Sequence, residues 1–77
     1  MEWKIQDGKL TKEFDLGNFV KAVEFINKIM KFAEEVNHHP DIFIHDYKKV
    51  KVILFTHSDE KISKKDYDLA KKIDSIN

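Results

Sequence analysis

The only proline of the chain, Pro40, directly follows two histidines, His38 and His39, at the end of its longest apolar-periodic stretch. Proline disfavours helical geometry at the residue before it. A helix running through Glu34-Glu35-Val36-Asn37 must therefore stop at or just before the histidine pair. The middle of the chain becomes a helix terminus carrying two adjacent imidazoles. A third, His57, comes at the far end of the next strand-like run.

Size narrows the options further. At 77 residues with no cysteine, the chain is near the lower limit for a self-sufficient core, with neither a disulfide framework nor thiolate metal sites to support it. We expect one domain over residues 1–77, and association between copies as a further source of stability. The 14 basic residues, all lysine, balance 14 acidic ones. A nucleic-acid binder usually shows basic excess and arginine forks, so nucleic acid is not expected as a direct partner. Met1-Glu2-Trp3-Lys4 does not resemble a signal peptide, and no apolar run approaches membrane-spanning length. The expected location is the cytoplasm, with no membrane partner.

Trp3-Lys4-Ile5-Gln6 alternates apolar and polar residues, Asp7-Gly8 supplies a two-residue turn, and residues 9–14 resume an extended pattern. Asp15 is the first candidate helix cap and Asn18 the second. Over residues 16–36 apolar side chains recur at helical spacing: Phe19/Val20, Val23, Ile26, Met30, Ala33 and Val36. An offset set, Ala22, Phe25, Ile29 and Phe32, widens the apolar arc beyond what one thin sheet covers. Two readings stand for these residues: deep core positions for all of them, or a second set, Phe25 and Phe32 especially, that faces another subunit. Residues 41–47 suggest a strand with a turn or bulge near its end. Residues 50–56 give the clearest strand, Val50, Val52 and Leu54 on one side and Lys51, Ile53 and Phe55 on the other. Ser63-Lys64-Lys65-Asp66 resembles a capping box opening a last helix, whose stripe is Asp66/Tyr67, Leu69/Ala70, Ile73 and Ile76. The order is ββαββα. It predicts an α+β fold, a four-stranded antiparallel sheet with helices packed on one face.

Imidazoles donate and accept protons near neutral pH, so a cluster of them suits general acid–base catalysis. Glu34 lies one helical turn before His38 and could hold its ring in one tautomer. Asp66, a carboxylate at the edge of an apolar stripe, needs partners and could approach His57. Two rival readings stand beside this. The histidine pair could be a solvated surface feature. Alternatively, imidazoles with Glu34, Asp41 or His45 could bind zinc, although adjacent histidines chelate one ion awkwardly and no helical i, i+4 histidine pair is present.

Glu34-x-x-x-His38-His39-Pro40, followed by Tyr47, His57 and Asp66, resembles the signature of the pterin-4a-carbinolamine dehydratase family. His-His-Pro-Asp-Ile, Thr56-His57 and Lys65-Asp66-Tyr67-Asp68-Leu69-Ala70 resemble it too, so the likeness runs from about Trp3 to the C-terminus. The resemblance implies a hydro-lyase that dehydrates 4a-hydroxytetrahydropterin to quinonoid dihydropterin in pterin recycling. It implies no metal or organic cofactor, and assembly as dimers or tetramers. It also implies a pterin site taking His38, His39 and Pro40 from the helix end, and Thr56, His57, Ser58 and Asp59 from the strand end. On this reading His38 and His57 share the acid and base roles in either order, His39 contacts the ring, Glu34 orients His38, and Asp66 supports the site. A protein-binding or dimerisation-cofactor module on the same fold is the alternative, with Ala22/Phe25/Ile29/Phe32 as its docking face. Two departures stand out. Trp3 stands close to the start of the sequence, whereas the family's tryptophan is usually expected after a longer leading segment. The stretch after Pro40 is longer than in many relatives and reads His45-Asp46-Tyr47-Lys48-Lys49.

Overall fold

A computed structural model describes residues 2–76. Two strands, β1 (Lys4–Gln6) and β2 (Lys9–Asp15), precede helix α1 (Phe19–Val36); β3 (Asp41–His45), β4 (Lys49–Leu54) and helix α2 (Lys64–Asp74) follow. The strands form one antiparallel sheet in the order β1-β2-β4-β3. This is the α+β architecture expected from the pattern. Among the described residues no helix is long and apolar enough to cross a membrane.

Turn chemistry sets the register. Asp7 and Gly8 both take positive φ, 50° and 75°, the conformation that a two-residue hairpin matched to strand twist requires. They bring Gln6 opposite Lys9. The second hairpin is less obvious. β3 ends at His45, and Asp46 and Tyr47 both adopt positive φ, 49° and 51°, before Lys49 pairs with His45. Tyrosine seldom adopts that conformation, so the sequence signals a turn here without revealing its geometry.

The sheet's inner face carries Leu10 and Phe14 from β2 and Val50, Val52 and Leu54 from β4, all buried. Against them pack Ala22, Phe25 and Ile29 of α1 and Leu69, Ala70 and Ile73 of α2. The rings of Phe14 and Phe25 lie 4.7 Å apart between centroids. The chain ends are tied together, the Trp3 indole N–H donating to Asp74 at 3.0 Å and Lys12 pairing with Asp74 at 2.8 Å.

Helix α1 corrects two expectations. Its cap is Asn18, whose Oδ1 accepts from the Lys21 N–H at 2.8 Å. Asp15 stays in β2 and accepts from the Gly17 N–H instead, because Gly17, at φ 89°, turns the chain before the helix begins. The subunit-facing reading of the second apolar set is corrected too. Ala22, Phe25, Ile29 and Ala33 are buried on the sheet side, whereas Phe19, Val20, Val23, Met30 and Val36 are exposed. Ala22, Phe25 and Ile29 join the sheet residues in one core, where Phe25 packs against Phe14. Phe32 is half-buried, with the Lys72 ammonium 5.6 Å from its ring centre.

Candidate active site

Three chain segments meet at one end of the sheet. The first is the end of α1. Asn37 adopts the left-handed conformation, φ 52°, which asparagine tolerates better than most residues. The Asn37 and His38 N–H groups both donate to the Ala33 carbonyl, the latter at 3.1 Å. This turn takes His38 off the helical course, and Pro40 prevents the helix resuming. The second segment follows β4. Thr56 and Lys61 exchange backbone hydrogen bonds at 3.0 and 3.3 Å, closing a loop that holds His57, Ser58, Asp59 and Glu60. The third is the first turn of α2, opened by Ser63.

Asp66 joins the three. It is fully buried and its carboxylate has three partners: His38 Nε2 at 2.5 Å, the Thr56 hydroxyl at 2.8 Å and the Ser63 N–H at 2.9 Å. A hydroxyl has one proton to give. Since Thr56 gives its own to Asp66, the Ser63 hydroxyl donates to Thr56 Oγ1, 2.6 Å away. A buried carboxylate needs such satisfaction, because an unpaired one would be strongly destabilising. With Nε2–H committed to Asp66, the neutral His38 ring has its lone pair on Nδ1.

Glu34 does not hold His38. Its carboxylate accepts from His39 Nε2 at 2.6 Å, with both side chains more than half exposed. The i, i+4 argument assumed helical geometry through position 38, and the left-handed turn at Asn37 ends that geometry one residue earlier. His57 is exposed, its ring edge-on to Phe55 with centroids 5.1 Å apart.

A cleft of ≈ 280 Å³ opens among these groups, lined by Asn37, His38, His39, Phe55, Thr56, His57, Ser58 and Lys65. That is just under the roughly 300–1,000 Å³ usual for ligand sites. The three imidazoles picked out in the sequence thus share one cleft. Pro40, Asp59 and Glu34 do not line it. Asp59 stands exposed on the loop, its N–H donating to the Thr56 carbonyl. Asn37, Phe55 and Lys65 do line the cleft and were not singled out. Asn37 alone left a signal, being a residue suited to a left-handed helix end. His45 lies elsewhere, bonded to Glu13 and to Asp46. Among the described residues no three histidine, aspartate or glutamate side chains gather in a metal-binding group.

The family model for pterin 4 alpha carbinolamine dehydratase matches residues 1–76. A Herpetosiphon aurantiacus protein, provisionally named a pterin-4-alpha-carbinolamine dehydratase, is 47% identical over 96% of this chain and 76% of its own length. One from Sulfolobus acidocaldarius with the same provisional name is 43% identical over 96% of this chain and 80% of its own. Among solved structures, the transcriptional coactivator/pterin dehydratase from Brucella melitensis superposes with a TM-score of 0.89 at 33% identity, covering 96% of this chain and 80% of that one. A pterin dehydratase-like RuBisCO assembly factor of the alpha-carboxysome shares the fold, with a TM-score of 0.81 at 20% identity over 97% of this chain and 88% of its own.

Proposed function

The chain belongs to the pterin 4 alpha carbinolamine dehydratase family, and from that premise we propose that it removes water from a 4a-hydroxytetrahydropterin to give the quinonoid dihydropterin. The observation that carries this reading is the meeting of His38, His39 and His57 at one cleft, with His38 anchored to a buried carboxylate. The reaction breaks the C4a–O bond as the N5 lone pair pushes in. The departing hydroxyl takes a proton and leaves as water, and the N5 proton is then lost. His38, presenting Nδ1 as its basic atom, is the base for N5–H. His57, exposed and in exchange with water, is the acid for the hydroxyl. His39 contacts the cationic ring, and Thr56 and Ser58 complete the wall. Each positioned acid or base is worth about 10²–10⁴ in rate.

The test is stopped-flow dehydration of a synthetic carbinolamine. The protein should accelerate it above the spontaneous rate, with or without chelator, and His57→Ala should remove most of that acceleration. Loss of activity on chelation would replace this mechanism with a metal-assisted one.

A second surface supports association. Phe19, Val23, Ile26 and Met30 alternate at spacings of four and three along α1, the seam of a helix–helix contact, and all but the half-buried Ile26 are exposed. A monomer seldom leaves such a stripe bare. We assign it to contact between copies of this chain in a homo-oligomer. The likeness to the transcriptional coactivator/pterin dehydratase of Brucella melitensis favours, as the alternative, a different protein seated there. Val23→Asp should yield a folded species of lower mass in analytical ultracentrifugation. Phe25→Asp, on the buried face, should unfold the chain instead.

A further inference from the structure

The lining of the cleft has one chemical bias. Its ionisable members are His38, His39, His57 and Lys65, every one of them neutral or cationic, and no carboxylate faces it among the described residues. The nearby carboxylates are otherwise engaged or placed. Asp66 is buried beneath His38, Glu34 is bonded to His39, and Asp59 and Glu60 stand on the loop outside.

The two lysines that open α2 differ. Lys64 pairs with Asp68 at 2.8 Å, and that hydrogen bond holds the Asp68 carboxyl below its usual range. Lys65 has no ion-pair partner among the described residues, and it is the one that lines the cleft. Phe55, on another wall, has the Lys9 ammonium 5.3 Å from its ring centre. Dehydration of a bicyclic ring does not itself call for an uncommitted ammonium, since the ring chemistry is served by the imidazoles.

We propose that Lys65 is a specificity-determining residue, and that the substrate is a pterin whose C6 side chain ends in an anionic group, a phosphate ester or a carboxylate. The inference rests on the dehydratase reading of this cleft. Lys65 would meet the anion at the cleft mouth while the ring sits among the histidines. An exposed ion pair of this kind is worth up to about fivefold in affinity, so the effect belongs in KM.

The experiment compares carbinolamines bearing a C6 phosphate monoester, a C6 carboxylate and a neutral C6 hydroxymethyl group, on the wild-type chain, Lys65→Met and Lys65→Arg. The expected result is a KM about fivefold lower for at least one anionic substrate than for the neutral one. That ratio should fall to about one in Lys65→Met, return in Lys65→Arg, and shrink as salt is raised. The better of the two anionic arms names the tail. Equal KM values for all three substrates on the wild type, or an unchanged ratio in Lys65→Met, would overturn the proposal. Equilibrium binding of the corresponding oxidised pterins to the same three proteins separates this question from turnover. If no carbinolamine is turned over, the dehydratase reading fails, while a Lys65-dependent preference for anionic pterins would still uphold the specificity claim and its absence would sink it.

Discussion

His38 and His39 are neighbours in the chain, and each engages a carboxylate through Nε2 at nearly the same distance, 2.5 and 2.6 Å. The resemblance ends there. His38 reaches Asp66, 28 positions away and fully buried, while His39 reaches Glu34, five positions away, in a pair that is 58% and 70% exposed. One contact requires α1, β4 and α2 to be in place, and the other needs only the end of one helix. A fold-dependent buried contact fixes a ring, whereas a local solvated one merely biases it. The same pairing of residue types therefore does different work at adjacent positions.

Removing the buried partner breaks that contrast most severely. Asp66→Ala strands His38, the Thr56 hydroxyl and the Ser63 N–H, and should cost about 3–5 kcal/mol, the scale for breaking a buried pair. A small domain has roughly 5–15 kcal/mol in total, so urea unfolding should show a large fall in midpoint. Asp66→Asn keeps an acceptor and should lose less stability. It should still lower kcat, because an amide can also turn its NH₂ toward the ring and favour the wrong tautomer. Full activity in Asp66→Asn would show that the anchoring of His38 is irrelevant to turnover.

The next test separates anchoring from chemistry. His38→Gln can still donate to Asp66 but has no basic nitrogen, so stability should change little while kcat falls about 10²–10⁴-fold. His39→Gln, on the exposed pair, should lower kcat by less than about tenfold, the smaller loss expected of a ring contact that transfers no proton. Equal losses at the two positions in single-turnover measurements would erase the distinction between them.

The sequence exposed some of this and concealed the rest, for physical reasons. The Asp7-Gly8 turn, the alternation through Val50, Val52 and Leu54, the stop at Pro40 and the Ser63–Asp66 box are local devices, each legible where it stands. The need of Asp66 for partners was legible too, since a carboxylate on an apolar stripe is costly unless paired; that His38 would supply one was not. Helical periodicity shows which residues of α1 share a stripe. It does not show which stripe meets the sheet, and only the tertiary packing identifies it as the one carrying Ala22, Phe25 and Ile29. Glu34 was matched to the wrong histidine because the left-handed turn at Asn37 breaks the spacing rule. Lys65 and Phe55 enter the cleft only through tertiary placement, which no periodicity reports.

The gentlest test bears on the exposed pair itself. Glu34→Gln keeps the size and one acceptor of the side chain while removing its charge. Exposed ion pairs contribute about 0–1 kcal/mol, since solvent screens the attraction and two mobile side chains must be held in place. The variant should therefore unfold within about 0.5 kcal/mol of the wild type and keep kcat within roughly threefold, with the residual difference vanishing as salt is raised. A fall in kcat beyond tenfold at unchanged stability would falsify the contrast drawn between the two rings. Glu34 would then be acting through His39 on the reacting pterin, and the local pair would be as much a part of the catalytic machinery as the buried one.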